Sequence, residues 1–227
     1  MNVFQEAALV ARKDLRIEAR SRVTMTQILP FGGIVLLLFA FALDQKKILR
    51  QVAPGLFWVC VLLAALLAVS RSFGIEQQHG ARDGLRLSGL DGAAVFLGKA
   101  GAIGIELLAL ELVLGIGVVV LYGITLDSIG ILMLSAVAAT VSVAATGTLY
   151  GVLAAGLRVR ETLVPLLLLP VAAPVMFGAT RAFELALHLH RHSHVADAWP
   201  WVGMLTLFAV IYASAGMLAF PTLLEES

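Results

Sequence analysis

The chain has one cysteine in 227 residues, Cys60, so no intramolecular disulfide and no thiolate cluster for zinc or iron–sulfur binding can be assembled. Charge is also scarce: Asp, Glu, Lys and Arg make up 14% of the residues against 60% hydrophobic, and the mean hydropathy is +0.95. That leaves too little polar surface to clothe a soluble globule. Catalytic signatures are missing as well. There is no H-E-x-x-H, no G-x-S-x-G and no Walker A, and the nearest miss, GAAVFLGKA from Gly92, has the wrong glycine spacing and no Ser or Thr after Lys99. These absences point away from an enzyme. A net charge of +1 gives no footing for a nucleic-acid partner.

What the chain does have is alternation. Six apolar stretches of about 18 to 28 residues, bilayer-spanning lengths, run roughly over 25–43, 53–70, 100–122, 129–156, 162–180 and 199–220. The expected fold is an all-α membrane protein with six transmembrane helices. Of the 16 Lys and Arg residues, eleven fall in the segments on the side of the termini and five (Lys46, Lys47, Arg50, Arg181 and Arg191) on the other. The positive-inside rule therefore predicts cytoplasmic termini in a bacterial inner membrane, with Lys46 to Arg50 as the main dissent. The expected organisation is a cytoplasmic amphipathic segment over 1–24, a permease domain over 25–220 and a short tail over 221–227.

Residues 4–22 read as an amphipathic helix lying on the membrane lipid, with Phe4, Leu9, Leu15 and Ile17 able to enter the interface while basic residues meet anionic headgroups. Glu6, Asp14 and Glu18 among those basic residues, and an apolar first stretch that is long for a signal peptide, favour a retained span over a cleaved leader.

Inside the spans, several residues stand out. Glu106 and Glu111 interrupt the third stretch, where a charged acid near mid-bilayer costs about 2.5 to 3.5 kcal/mol. Each should face the bundle interior or water. Five positions apart on a helix, they point in different directions and do not make a general acid and base pair. Gly147 and Gly151 form a G-x-x-x-G pattern that lets another helix come close. Pro165, Pro170 and Pro174 in the fifth stretch each delete a backbone donor, predicting a bent helix or a hinge. His188, His190, His192 and His194 supply two i, i+4 pairs in the fifth connection, a pattern that serves metal binding or pH sensing only if the segment is helical.

The segment 71–99 is punctuated by Gly74, Gly80, Gly84, Gly89 and Gly92 and mixes Glu76, Asp83 and Arg86 with Leu85, Leu87 and Leu90, a pattern suited to a short interfacial helix that docks a soluble partner. This segment with Phe73 and Lys99, the run Ala53-Pro54-Gly55-Leu56-Phe57-Trp58, and above all GTLYGVLAAGLRVRETLVPLLLLPVAAPVMF from Gly147 to Phe177 resemble the haem exporter protein B family, the permeases of the cytochrome c maturation ABC transporter. The resemblance covers most of residues 50 to 180. Arg82 departs from it, standing where the family usually has an apolar residue.

The resemblance implies a non-catalytic permease of ABC exporter type in c-type cytochrome biogenesis. Its partners would be a cytoplasmic ABC ATPase, other cytochrome c maturation membrane subunits and a second copy in a homodimer. Haem would be a ligand of the complex, transported or released on a chaperone. It also implies that Glu76, Gly80, Asp83, Leu85 and Leu87 form the ATPase-coupling element. A permease for lipid, polysaccharide or drug, and a membrane scaffold that transports nothing, share the same plan.

Overall fold

The computed structural model describes residues 2–21, 24–43, 45–78, 89–155, 160–187, 189 and 195–226. Among them the regular structure is all helical, in the order α1 (Val3–Ser21), a π-helical turn (Thr24–Ile28), α2 (Leu29–Ala42), α3 (Lys46–Gln78), α4 (Gly92–Tyr122), α5 (Ile129–Ala155), α6 (Arg160–Ala186), a 3₁₀ turn (Val195–Ala198) and α7 (Trp199–Glu226). Helices α3 to α7 are each long and apolar enough to cross a bilayer. The first expected span is the π-helical turn continued by α2; counted together with α1, from which it is bent by 52°, it makes a sixth crossing. The structure thus carries the all-helical membrane architecture expected from the alternation.

Local chemistry sets the ends of α4. Asp91 caps its start, its Oδ1 accepting the Ala93 N–H at 2.9 Å, and Gly123 closes it in the left-handed region at φ +62°, its N–H donating to the Val119 carbonyl at 3.0 Å. Both chain ends meet the start of this helix. The Asp91 N–H donates to Glu6 of α1 at 3.1 Å, and a Cβ on Gly92 would lie 2.7 Å from the Pro221 Cα of α7. This end of the bundle is called the terminal end below.

Helix α5 is the central post, packed against α3, α4, α6 and α7. Small residues make this fit. A Cβ on Gly147 would come within 2.5 Å of Val69, and one on Gly151 within 2.4 Å of the Phe73 ring, so the G-x-x-x-G face is where α3 lies against α5. Four buried hydroxyls on α5 donate within their own helix: Ser135, Ser142, Thr146 and Thr148 each donate to the carbonyl four residues back. Ser142 also donates to the Leu205 carbonyl of α7 at 3.2 Å.

Aromatic rings close other seams. Phe57 and Trp58 of α3 meet Phe183 of α6 at centroid distances of 5.4 and 5.1 Å, and Phe96 of α4 meets Phe220 of α7 at 5.7 Å. The outward faces stay apolar, with Leu112, Ile116 and Val120 on α4, Leu166 on α6 and Leu207 and Val210 on α7 exposed. Such a surface belongs in lipid. Helix α6 runs unbroken through Pro165, Pro170 and Pro174, and α7 continues through Pro221 to Glu226.

Candidate functional site

The densest polar chemistry lies where α1 crosses α3 and α4. Two apolar residues of α1, Ala7 and Val10, are buried against α4, while Phe4 and Leu9 face outward at 80% and 53% exposure. One face of α1 is therefore available to lipid and the other is docked on protein. Gly98 permits the docking, because a Cβ there would meet the Val10 Cβ at 2.6 Å and the Ala7 carbonyl oxygen at 2.7 Å.

Further along the docked face, at helical spacing from Ala7 and Val10, come Asp14 and Glu18. Asp14 accepts from Lys99 Nζ of α4 at 3.4 Å, and Lys99 is 1% exposed, lies 3.5 Å from Ser72 Oγ and sits 4.8 Å above the Phe73 ring. Glu18 receives Arg71 of α3 through both carboxylate oxygens, at 2.9 and 3.1 Å, and Arg71 also donates to Ser21 Oγ. Both oxygens accept from the one nitrogen Nη1, and partly buried pairs of this kind are screened less than exposed ones. Glu106 joins the same place, lining with Asp14, Glu18, Arg71 and Ser72 a cavity of about 30 Å³, room for a water molecule.

Glu111 belongs to a different joint. It is buried, its Oε1 accepts the Thr140 hydroxyl of α5, and its Oε2 has no hydrogen-bond partner among the described residues. The two glutamates are thus separated, Glu106 toward α1 and α3, Glu111 toward α5. Sequence reasoning named both glutamates, but it missed Asp14, Glu18, Arg71 and Lys99 as one joint. The available signal was the pair of acids at i, i+4 inside a basic helix, together with a lysine immediately before the third apolar stretch.

Of the residues expected to couple to an ATPase, Gly80, Asp83, Leu85 and Leu87 lie outside the described residues, as does the Glu76 side chain, although Glu76 belongs to the last turns of α3. His188, His190, His192 and His194 are likewise outside them. Among the described residues no group of three or more His, Cys, Asp or Glu is arranged to hold a metal ion.

The long apolar helices and their buried polar joints define a multi-pass, all-helical membrane protein of the permease type. Residues 5–227 match the family described as CcmB protein, and the chain belongs to that family. Its relatives include "Heme exporter protein B" of Pseudomonas aeruginosa, 29% identical over 218 residues and 92% of each chain. The protein of the same name from Rhodobacter capsulatus is 34% identical over 175 residues, covering 76% of this chain and 79% of the relative. That of Escherichia coli K12 is 35% identical over 91 residues, covering 40% and 41%.

Proposed function

We propose that this protein is the permease subunit of an inner-membrane ABC transporter complex in c-type cytochrome biogenesis, with both termini in the cytoplasm and haem as the ligand that the complex handles. ATP is hydrolysed by a partner chain docked on the segment around Glu76, Gly80, Asp83, Leu85 and Leu87. The observation that carries the reading is mechanical. That segment connects α3 and α4, helices of 33 and 31 residues, each about 50 Å long at 1.5 Å per residue.

Both connections are tied by α1, through Glu18 to Arg71 on α3 and through Glu6 and Asp14 to Asp91 and Lys99 on α4. A push on the segment is therefore delivered to two full-length helices as one body. ATP binding and hydrolysis in the partner supply the differential interaction energy that moves them between states. The names of the relatives supply haem; the chain's own residues supply the lever.

The test is a mild-detergent pull-down of the tagged protein, comparing wild type with an Asp83→Lys and Leu85→Asp double variant and identifying every co-purifying chain. An ABC ATPase and haem-handling membrane subunits should be recovered with wild type, and the ATPase lost with the variant. Recovery of no ATPase in several detergents points instead to a scaffold.

A further inference from the structure

At the end of the bundle opposite the terminal end, α2, the start of α3 and the end of α4 enclose a half-open cleft of about 420 Å³. Phe41, Leu43 and Leu121 form its apolar walls, and Lys46 and Arg50 stand over it. Phe41 and the neighbouring Val120 are 82% and 73% exposed, so the apolar wall continues onto the lipid-facing surface of the bundle.

The cations are committed to little else. Arg50 donates through Nε to the Tyr122 carbonyl at 3.2 Å, closing the C-terminus of α4, where a cation is favoured by the helix dipole. Its two Nη groups have no hydrogen-bond or ion-pair partner among the described residues, and neither has Lys46 Nζ. Arg181, by contrast, is held at this same end of the bundle by Glu184 at 2.8 Å. The cleft also depends on Gly123, whose missing side chain leaves the room that the Arg50 guanidinium uses: a Cβ there would lie 3.2 Å from Nη2.

Segment 44–50 carries three cations against one acid in the sequence, on the side where basic residues are otherwise few. A solvated pair of cations accounts for charge alone. It does not account for two cations, without an ion-pair partner among the described residues, lining one cleft together with Phe41, Leu43 and Leu121.

We propose that this cleft binds an anionic amphiphile, its phosphate or carboxylate held by Arg50 and Lys46 and its apolar body lying along Phe41, Leu121 and Val120. A fork of Nη donors suits either anion in two-point contact, and lysine adds a second charge. Two sources offer this chemistry: an acidic phospholipid of the surrounding leaflet, and the propionate-bearing haem named for the relatives. The haem source rests on the proposed function above, whereas a lipid site would exist in a scaffold as well.

The experiment uses the full-length protein in mild detergent. Retention of phosphatidylglycerol from mixed phosphatidylcholine and phosphatidylglycerol micelles is read by native mass spectrometry, and haemin binding by quenching of tryptophan fluorescence. Wild type is compared with the Lys46→Gln and Arg50→Gln double variant, with Arg50→Lys, and with Arg181→Gln as a control cation at the same end of the bundle, already held by Glu184. Loss of two surface cations should weaken the true ligand about tenfold or more, Arg50→Lys, which keeps the charge but loses the fork, should weaken it by less, and the control should stay near wild type.

A fall for phosphatidylglycerol alone identifies the lipid, and a fall for haemin alone identifies the haem carboxylates. A fall for both supports one shared cleft. Unchanged binding of both probes overturns the site. Should the double variant fail to fold, Lys46→Gln alone, at an exposed side chain with no partner to lose, must still weaken one probe severalfold or the proposal falls.

Discussion

Val10 of α1 rests directly on Gly98 of α4, so closely that a Cβ on the glycine would approach the valine Cβ to 2.6 Å. The second obstacle, the Ala7 carbonyl at 2.7 Å, is backbone and cannot swing aside as the end of a long side chain could. Gly98→Ala should therefore lift α1 off the bundle, at the cost of about 1 to 3 kcal/mol typical of overpacking. Hydrogen exchange reads it: amides of residues 3–21 should lose protection while those of α5 do not. Unchanged protection of α1 would show that the contact is looser than described.

A second consequence concerns Lys99, a cation at 1% exposure whose acidic partner Asp14 is itself only 13% exposed. Removing one partner strands the other, whereas removing both leaves an apolar contact. Lys99→Met should cost about 3 kcal/mol in a denaturing-detergent titration, and Asp14→Leu added to it should restore much of that loss. Asp14 also lies 3.0 Å from Lys13, a side chain 40% exposed, which softens the loss without replacing the buried pair. Strict additivity of the two substitutions would remove the ion pair from this account.

The spans were legible because a bilayer imposes a length and an apolar composition that any window along the chain can detect. The first needed its π-helical turn to reach that length, since α2 alone has 14 residues. The helical nature of 3–21 was legible from its amphipathic pattern, and of the four apolar residues expected on its outer face, Phe4, Leu9 and Ile17 are exposed and Leu15 is half-buried. Its second face was not. In the sequence Asp14 and Glu18 were only acids among basic residues, and their partners Arg71, more than fifty positions away, and Lys99 could be found only in the fold. Glu106 and Glu111 announced themselves by the cost of a carboxylate in lipid, but which helix each would meet depended on packing that no local pattern encodes. The G-x-x-x-G face was visible, its partner helix α3 was not.

That partner gives a third prediction. A Cβ on Gly151 would come within 2.4 Å of the Phe73 ring, so Gly151→Val should destabilise by about 1 to 3 kcal/mol. Phe73→Ala opens a hole on the facing side, and the pair should be less destabilised than the sum of the single changes. Phe73 also lies beneath Lys99, so its own truncation carries a separate cost that the double-mutant cycle subtracts. Simple additivity in thermal unfolding would place Phe73 away from this face.

The Glu111 and Thr140 joint separates a structural role from a moving one. Thr140→Val takes away the one donor that Glu111 has among the described residues and leaves a buried carboxyl group unsatisfied, at about 1 to 3 kcal/mol. Glu111→Gln keeps an acceptor for Thr140 and should unfold within about 1 kcal/mol of wild type. Measured beside holocytochrome c yield in cells, the two substitutions discriminate. If Glu111→Gln is stable but yield falls severalfold, the carboxyl group acts in the moving core. If yield tracks stability in both variants, Glu111 only fastens α4 to α5.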